Sequence, residues 1–467
     1  MGISSLGAGS NVLTQDVIDQ LKKADEAQFV QPLTSKVSAE KSKSGKLDIV
    51  NALMDNLSES TGNVADVGLF NTRSATVTGS AVEVVANGGS DIQDFNITVN
   101  HLATKEIEQS GSFATADTSI ATGDGQLKLS VGSKDFLVDY TSATSLTDLR
   151  NQINKDAKGT LQASIVEVAK DDFRLFLTAA NTGTGQNVSI TDVAGKGENL
   201  KDQLKADTDT TDGYTNVQTA QDASFTYNNL AITRTSNTVS DLLAGVTITL
   251  KEGTDANPST SSVSVTQDVT GIEDKLDSFV SKFNSAIREL DTMTKASKDA
   301  KVRGIFSNDG TIKGMKNTVR TMLGTAGEGV GRLEDYGFAS NRDGTISIDK
   351  SIFETKLKEN PENVAAFFVG GDFTSNGSTK TLSGAFTEMK SKVDSYTNYN
   401  ATLDQLKTSY TTQITSLEDR QQAATDRLTA KYAIMKKRFA AYDVMINKIN
   451  SASDIFTQLA NQNNNNN

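Results

Sequence analysis

A heptad pattern near the C-terminus constrains the fold of this chain more than any other feature. Over residues 403–460, apolar side chains recur at alternating intervals of four and three residues, with a few shifts in phase. This spacing is typical of a long amphipathic helix that packs against another helix. No Pro or Gly follows Gly384, so nothing in the sequence breaks such a helix. The last part of the seam comprises Leu428, Tyr432, Met435, Phe439, Tyr442, Ile446, Ile449, Ser453, Phe456 and Ala460.

The partner that this helix requires is predicted at the N-terminus. Thr14 is a suitable N-cap for a first helix, and a second helix is predicted after Pro32. The sequence therefore predicts that the two ends of the chain pair as an antiparallel bundle. The alternative is an ordinary core helix at each end. The apolar face consists of Val17, Ile18 and Leu21 in the first helix and of Leu47, Val50, Met54, Leu57, Thr61 and Val64 in the second.

Between these helices the pattern changes to that of β-structure. From Thr72 the sequence alternates in short runs rich in Thr, Ser and β-branched side chains, and the helical period returns at Ile272. One short helix, with Leu146, Leu149 and Ile153 on one face, interrupts the β pattern. We predict an α+β multidomain fold in which the N- and C-terminal helices form a coiled-coil bundle and β-rich domains are inserted in the middle.

The residue types available for chemistry argue against an enzyme. The chain of 467 residues has no Cys and a single His, His101, and its acidic residues are scattered through polar runs. The stretch Asn341–Gly344 resembles a calcium loop only superficially and is interpreted as a hairpin turn. We therefore predict no catalytic residues, no metal site and no cofactor.

Charge and hydropathy bear on the partners. The net charge of −12 argues against a nucleic acid as a partner of the whole chain. No apolar run approaches about 18 residues, so no membrane insertion is predicted. The N-terminus also lacks the pattern of a secretory signal peptide. We expect either a cytoplasmic location or export by a route that reads another signal.

Several blocks of the sequence resemble one known family. The most specific block is Ile232–Thr247, which is close to the pattern I-x-R-x-x-N-x-x-x-D-L-x-x-G-V-T. Through these blocks the chain resembles the bacterial flagellar filament capping protein, a family also called hook-associated protein 2. The resemblance covers nearly the whole chain in order. The other matching blocks are Ile3–Gly7, Val99–Ala103, Leu333–Gly337, Asp343–Asp349 and the closing helix Arg427–Asn450.

The resemblance implies a structural protein. Members of the family form a ring at the distal tip of the bacterial flagellar filament, usually a homopentamer and in some cases a hexamer. The ring prevents flagellin leakage and promotes flagellin polymerisation during filament elongation. The implied location is extracellular, reached through the flagellar type III apparatus without a cleaved signal peptide. The implied partners are further copies of the chain, flagellin, the hook-associated junction proteins and an export chaperone at the C-terminal region.

Together with the changes in period, the resemblance suggests four regions and an assembly surface. The regions are a helical leg domain (1–40 and 430–467), a helical bundle domain with a small hairpin (41–71 and 271–429), a β domain (72–106 and 219–270) and an outer β domain (107–218). The residues expected to contact flagellin or other copies are the apolar residues Val17, Ile18, Leu21, Leu47, Val50, Met54, Leu57, Leu428, Tyr432, Met435, Phe439, Tyr442, Ile446, Ile449 and Phe456.

Two alternative functions stay open at this point. The first is another rod component, either a hook–filament junction protein or a flagellin, because these proteins also carry heptads at both ends around a β middle. The block Ile232–Thr247 favours the cap family over both. The second is a surface adhesin for cell adhesion, with β domains that bind glycans or mucin.

Overall fold

The chain folds into two compact units, one helical and one rich in β-strands. The structure is a computed structural model that describes residues 15–197, 200–205, 214–325 and 327–464. A helical unit comprises Met1–Leu69 with Thr270–Asn467, and a β unit comprises Phe70–Val269. The predicted α+β fold, with helical ends around a β-rich middle, is confirmed. The predicted Thr14 cap lies outside the described residues.

The described chain begins with two helices, α1 (Gln15–Phe29) and α2 (Gln31–Val64). Pro32 stands in the first turn of α2, where its missing N–H costs no helical hydrogen bond. The 3-4 spacing that predicted α2 places its apolar residues on one face, and that face is buried. The buried residues on this face are Leu47, Val50, Met54, Leu57, Thr61 and Val64.

The β unit contains fifteen described strands and two described helices. The longer of these two described helices, α3, is fixed at its start by a capping box in which Ser145 and Asp148 bond reciprocally to each other's backbone N–H. The elements are β1 (Arg73–Thr78), β2 (Val82–Ala86), β3 (Gln93–His101), β4 (Ile107–Gln109), β5 (Gly125–Val131), β6 (Lys134–Tyr140), α3 (Leu146–Asp156), β7 (Leu161–Ala169), β8 (Asp172–Ala179), β9 (Val188–Asp192), α4 (Leu200–Gln203), β10 (Thr215–Gln218), β11 (Ala223–Tyr227), β12 (Leu230–Arg234), β13 (Thr238–Leu243), β14 (Val246–Leu250) and β15 (Ser259–Gln267).

These strands form four antiparallel sheets around two separate cores. The sheets have the strand orders β1-β15-β3-β11-β12, β13-β14-β2, β10-β4-β8-β7 and β6-β5-β9. The first two sheets enclose a core that includes Phe95, Ile97 and Phe225. The other two, with α3, enclose a core that includes Leu149 and Leu175. The division of this unit into an inner and an outer β domain stays a prediction.

The chain then returns to the helical unit, where a cluster of aromatic rings forms part of the packing. Phe386 lies edge-on to Phe279 at 4.8 Å between ring centroids and stacks on Phe368 at 5.2 Å. The remaining elements are α5 (Val269–Thr294), α6 (Gly310–Thr321), β16 (Phe338–Ser340), β17 (Ile346–Ile348), α7 (Lys350–Glu359), α8 (Pro361–Val369), β18 (Gly371–Ser375), β19 (Ser378–Leu382), α9 (Ala385–Thr397) and α10 (Thr402–Asn464).

The hairpin turn predicted at Asn341–Gly344 is present. It joins β16 and β17, which pair antiparallel from Phe338 opposite Ile348 to Ser340 opposite Ile346. Gly344 has φ 84°, in the left-handed region that glycine adopts at little cost. Asp343 accepts hydrogen bonds from the backbone N–H and the hydroxyl of Thr345. Its carboxylate therefore stabilises the turn.

Candidate interaction surface on the terminal helices

The two ends of the chain meet along α2 and α10. Lys407 pairs with Asp48 at 2.7 Å, and farther along α10 Glu418 pairs with Lys41 at 2.6 Å. Gln421 then donates a hydrogen bond to the hydroxyl of Thr34 at 2.7 Å. The partner number falls on α2 as the residue number rises on α10, so the two helices run antiparallel.

Helix α9, which is separated from α10 by a short break, also packs along α2. Ser58 of α2 donates a hydrogen bond to Asp394 of α9, so α9 and α10 lie in succession along the same helix. Between them, Asn400 adopts a left-handed conformation with φ 59°, and its N–H bonds to Asp404 at 3.1 Å. An Asn rather than a Gly or Pro therefore separates the two helices.

The first helix, α1, packs farther along α10. Ile18 forms a small buried cluster with Leu428 and Tyr432, and the partly buried Met435 and Phe439 pack against it. The pairing of α1 with α10 is thus centred on one aliphatic side chain of α1. This apolar contact is small, so polar bonds beside it matter for the position of α1.

One such polar group is the carboxylate of Asp25. It accepts hydrogen bonds from Lys431 Nζ at 2.7 Å and from the Tyr432 hydroxyl at 2.8 Å. The bond from Lys431, followed by that from Tyr432, holds the pKa of Asp25 below its usual value. The same bond to Asp25 raises the pKa of Lys431. Burial, and then the bond to Asp25, raises the pKa of Tyr432.

A second polar link joins α10 to the rest of the helical unit. The Tyr410 hydroxyl donates a hydrogen bond to Asp309 Oδ2 at 2.9 Å, while Oδ1 of the same carboxylate accepts the N–H groups of Thr311 and Ile312. Burial and the neighbouring Asp309 raise the pKa of Tyr410 well above its usual value. Asp309 thus caps α6 and anchors α10 with one carboxylate.

The predicted contact residues fall into three groups in the structure. The buried ones are Ile18, Leu47, Val50, Met54, Leu57, Leu428 and Tyr432. The partly buried ones are Val17, Met435, Phe439 and Ile446, and the exposed ones are Leu21, Tyr442, Ile449 and Phe456.

The seam leaves the predicted heptad after Phe439. Tyr442 is 57 % exposed, whereas Asp443 beside it is only 3 % exposed. A heptad repeat averages 3.5 residues per turn, whereas a straight α-helix has 3.6 residues per turn. The row of buried residues along α10 therefore shifts by one position. The pattern of apolar residues gave no signal for this change because the residue that occupies the buried position is an acid.

The described part of the chain contains no group of three or more His, Cys, Asp or Glu residues that could hold a metal ion. His101 bonds through Nδ1 to Asp255 at 2.6 Å. Among the described helices none is long and apolar enough to cross a membrane.

Comparison with known proteins assigns the chain to a family. The model of the flagellar hook-associated protein 2 N-terminus matches residues 10–106, and the model of the flagellar hook-associated protein 2 C-terminus matches residues 220–451. The chain belongs to the flagellar hook-associated protein 2 family. The two matches include α1, α2, the block Ile232–Thr247 and α10 as far as residue 451. Residues 107–219, which contain the outer β strands, lie outside both matches.

Relatives within the hook-associated protein 2 family extend over nearly the whole chain. The protein from Escherichia coli strain K12 is 27% identical over 487 residues, which cover 99% of each chain. The protein from Campylobacter jejuni is 28% identical over 420 residues, and the alignment spans 78% of this chain but only 64% of that relative's length. The fold of this chain is similar to that in the crystal structure of the D1-D2-D3 domains of the flagellar cap protein FliD from Escherichia coli, with a TM-score of 0.61. The two sequences are 22% identical, and the match covers 80% of this chain and 99% of that one.

The Asp25 pair predicts that the docking of α1 weakens in acid. The pKa of Asp25 is lower in the folded chain than in the unfolded one. The pair therefore stabilises the fold fully above the ordinary Asp value of about 4, and this contribution is lost as the pH falls through the lower folded value. Asp25→Asn should lower the midpoint of thermal unfolding, followed by circular dichroism, at about pH 7 and have less effect at about pH 3.

The matched control for this measurement is Asp426→Asn, which changes an exposed acid on α10. It should leave the midpoint almost unchanged at both pH values. An effect of Asp25→Asn that is equal in size at both pH values would contradict an ionic role for Asp25.

Proposed function

We propose that this protein is the structural cap at the distal tip of the bacterial flagellar filament. In this role it forms an oligomeric ring that prevents flagellin leakage and promotes flagellin polymerisation during filament elongation. Family membership supports the proposal, and the relative of known structure from Escherichia coli is described as a flagellar cap protein. The work of such a cap is mechanical and is performed by surfaces.

One structural observation carries the proposal. The pairing of α10 with α1 and α2 buries its apolar seam as far as Tyr432 and partly covers Met435 and Phe439, whereas side chains farther along the seam are exposed. Ile449 is 57 % exposed and Phe456 is 72 % exposed. From Asp443 to Asn464 the helix extends for about 30 Å at about 1.5 Å per residue. The exposed apolar side chains on this part of the helix form a surface that suits packing against other helices.

The proposal assigns roles to the regions of the chain. The legs are residues 1–40 and 430–467, and the contact residues with flagellin or other copies are those of the predicted apolar set. The partners are further copies of the chain, as a homopentamer with a hexamer as the alternative, together with flagellin, the junction proteins and an export chaperone at the C-terminal region. The location is extracellular, after export by the flagellar type III apparatus. The proposal includes no nucleic acid, membrane insertion or enzymatic activity.

Electron microscopy of the purified full-length chain tests the proposal. We expect closed rings, and averaged end-on views should show five or six copies. Long filaments would instead favour a flagellin-like rod component. A chain that stays monomeric at all concentrations and binds mucin would favour the adhesin alternative.

A further inference from the structure

Two chain segments cross between the two cores of the β unit, here called the Phe225 core and the Leu175 core after a buried residue of each. Residues 102–106 lead from β3 to β4, and residues 219–222 lead from β10 to β11. Because β3 and β11 are neighbours in one sheet and β4 and β10 are neighbours in another, the two crossings lie side by side. Two adjacent links of this kind can act as a hinge between the parts that they join.

The two crossings are tied to each other by hydrogen bonds. The backbone groups of Thr104 and Gln221 exchange two bonds, of 2.9 and 3.3 Å. The buried carboxylate of Glu106 accepts the N–H of Ala220 and, at 2.8 Å, the side-chain amide of Asn216. These bonds hold the two segments together. They all lie along the crossings, however, so they do not by themselves fix the angle between the two cores.

A third segment, residues 182–184, reaches the other side from the loop between β8 and β9. Each of its three residues donates a hydrogen bond to a different part of the chain. Two of the acceptors belong to the crossings, and the third lies in the turn between β12 and β13, outside both crossings. The bonds run from the Thr182 hydroxyl to the carbonyl of Thr235 at 2.5 Å, from the Gly183 N–H to the carbonyl of Thr104 at 3.1 Å and from the Thr184 N–H to Asp222 Oδ1 at 2.8 Å.

The close approach of this segment depends on a glycine at its centre. Gly183 is buried and has φ 105°, in the region that side chains other than glycine rarely adopt. A Cβ at this position would lie 2.7 Å from the Cβ of Thr235 and 2.9 Å from Oδ1 of Asp222. Gly185 in the same loop has neither constraint, because its φ lies outside the left-handed region and a Cβ there would meet nothing within 4 Å.

We infer that residues 182–184 form a clasp that locks the Leu175 core to the Phe225 core and converts a two-strand hinge into a rigid joint. The contact of the clasp with Thr235 lies outside the crossings, so it opposes a swing of one core about them. The residues of the clasp belong to neither buried apolar cluster. The joint can therefore be released while both cores stay packed.

Double electron–electron resonance on the full-length chain tests this inference. The chain has no Cys, so spin labels attach only at the introduced pair Lys170→Cys, beside the Leu175 core, and Glu252→Cys, beside the Phe225 core, both at exposed positions. The labelled parent should give one narrow distribution of distances. Gly183→Ala should make this distribution roughly twofold broader, because a joint of two adjacent links permits relative motion. The matched control Gly185→Ala should leave the width unchanged.

A second pair of variants keeps the inference testable if Gly183→Ala folds poorly. Asp222→Ala removes the acceptor of the Thr184 N–H and should also broaden the distribution, whereas Asp222→Asn keeps an oxygen acceptor and should restore most of the parent's narrow width. Thermal unfolding followed by circular dichroism should stay cooperative in both variants, since the two cores stay packed.

Three results would overturn the inference. The first is a distribution that is already broad in the labelled parent, because the joint would then be flexible with the clasp intact. The second is a parental width in both Gly183→Ala and Asp222→Ala. The third is broadening that occurs only together with a loss of cooperative unfolding, which would show a general loss of stability. The joint is a property of the isolated chain and does not depend on the proposed function.

Discussion

A strain that lacks this protein is expected to be non-motile and to release flagellin into the medium as monomer. If the protein caps the filament, its absence leaves export intact but removes the surface under which flagellin is inserted. Nearly all exported flagellin should then appear in the culture supernatant, and filaments should be absent or very short. Immunoblots of the supernatant and filament lengths from electron microscopy measure the two effects.

Complementation separates the contributions of the two units. The full-length chain should restore filaments and motility. A fragment of residues 70–269, which contains the whole β unit, should behave like the deletion because it lacks every long amphipathic helix. Filaments of normal length in the deletion strain would contradict the cap function. If only attachment to surfaces were lost, the adhesin alternative would be favoured.

The parts of the fold that the sequence predicts are those in which apolar periodicity dominates. Leu47, Val50, Met54 and Leu57 follow the 3-4 spacing and are all buried, since a long helix is stable in water mainly through the packing of such a face. The change of period near Thr72 likewise marks the start of the β unit within a few residues. These features depend on the alternation of apolar and polar residues along one element, which is visible in one sequence.

The features that the sequence analysis missed depend on polar side chains with distant partners. Asp309 is the N-cap of α6 and also the acceptor for the Tyr410 hydroxyl. The pair of Asp25 with Lys431 joins residues that are 406 positions apart in sequence. Neither contact follows from local spacing, because any of several carboxylates could have filled the role.

The apolar seam of α10 was likewise only partly predictable from the sequence. The apolar pattern identifies which residues of α10 form a seam, but it does not say where the partner helix ends. Asp443 also breaks the apolar pattern at a buried position. The consequence is that Leu428 and Phe456, which look equivalent in the heptad, lie respectively in a core and in solvent.

This difference in burial predicts that a charge at a buried apolar position impairs folding, whereas a charge at an exposed apolar position impairs assembly. Leu57 of α2 is fully buried, so Leu57→Asp places a charge in the core of the helical unit. The substitution should cost about 3 kcal/mol or more and lower the midpoint of thermal unfolding by roughly 6 °C or more. Phe456 is 72 % exposed, so Phe456→Asp should leave the midpoint unchanged.

The substitution at the exposed position should impair assembly and not folding. Phe456→Asp should give a folded, exported chain that fails to restore motility to the deletion strain, because a charge in the exposed seam would be buried against a partner helix without compensation. The matched control is Gln458→Asp, which puts the same charge on another face of the same turn and should complement normally. Unfolding midpoints and swimming diameters of the same variants supply both readouts. Normal swimming with Phe456→Asp would show that the exposed stripe of α10 is not the assembly surface, even if the protein is a cap.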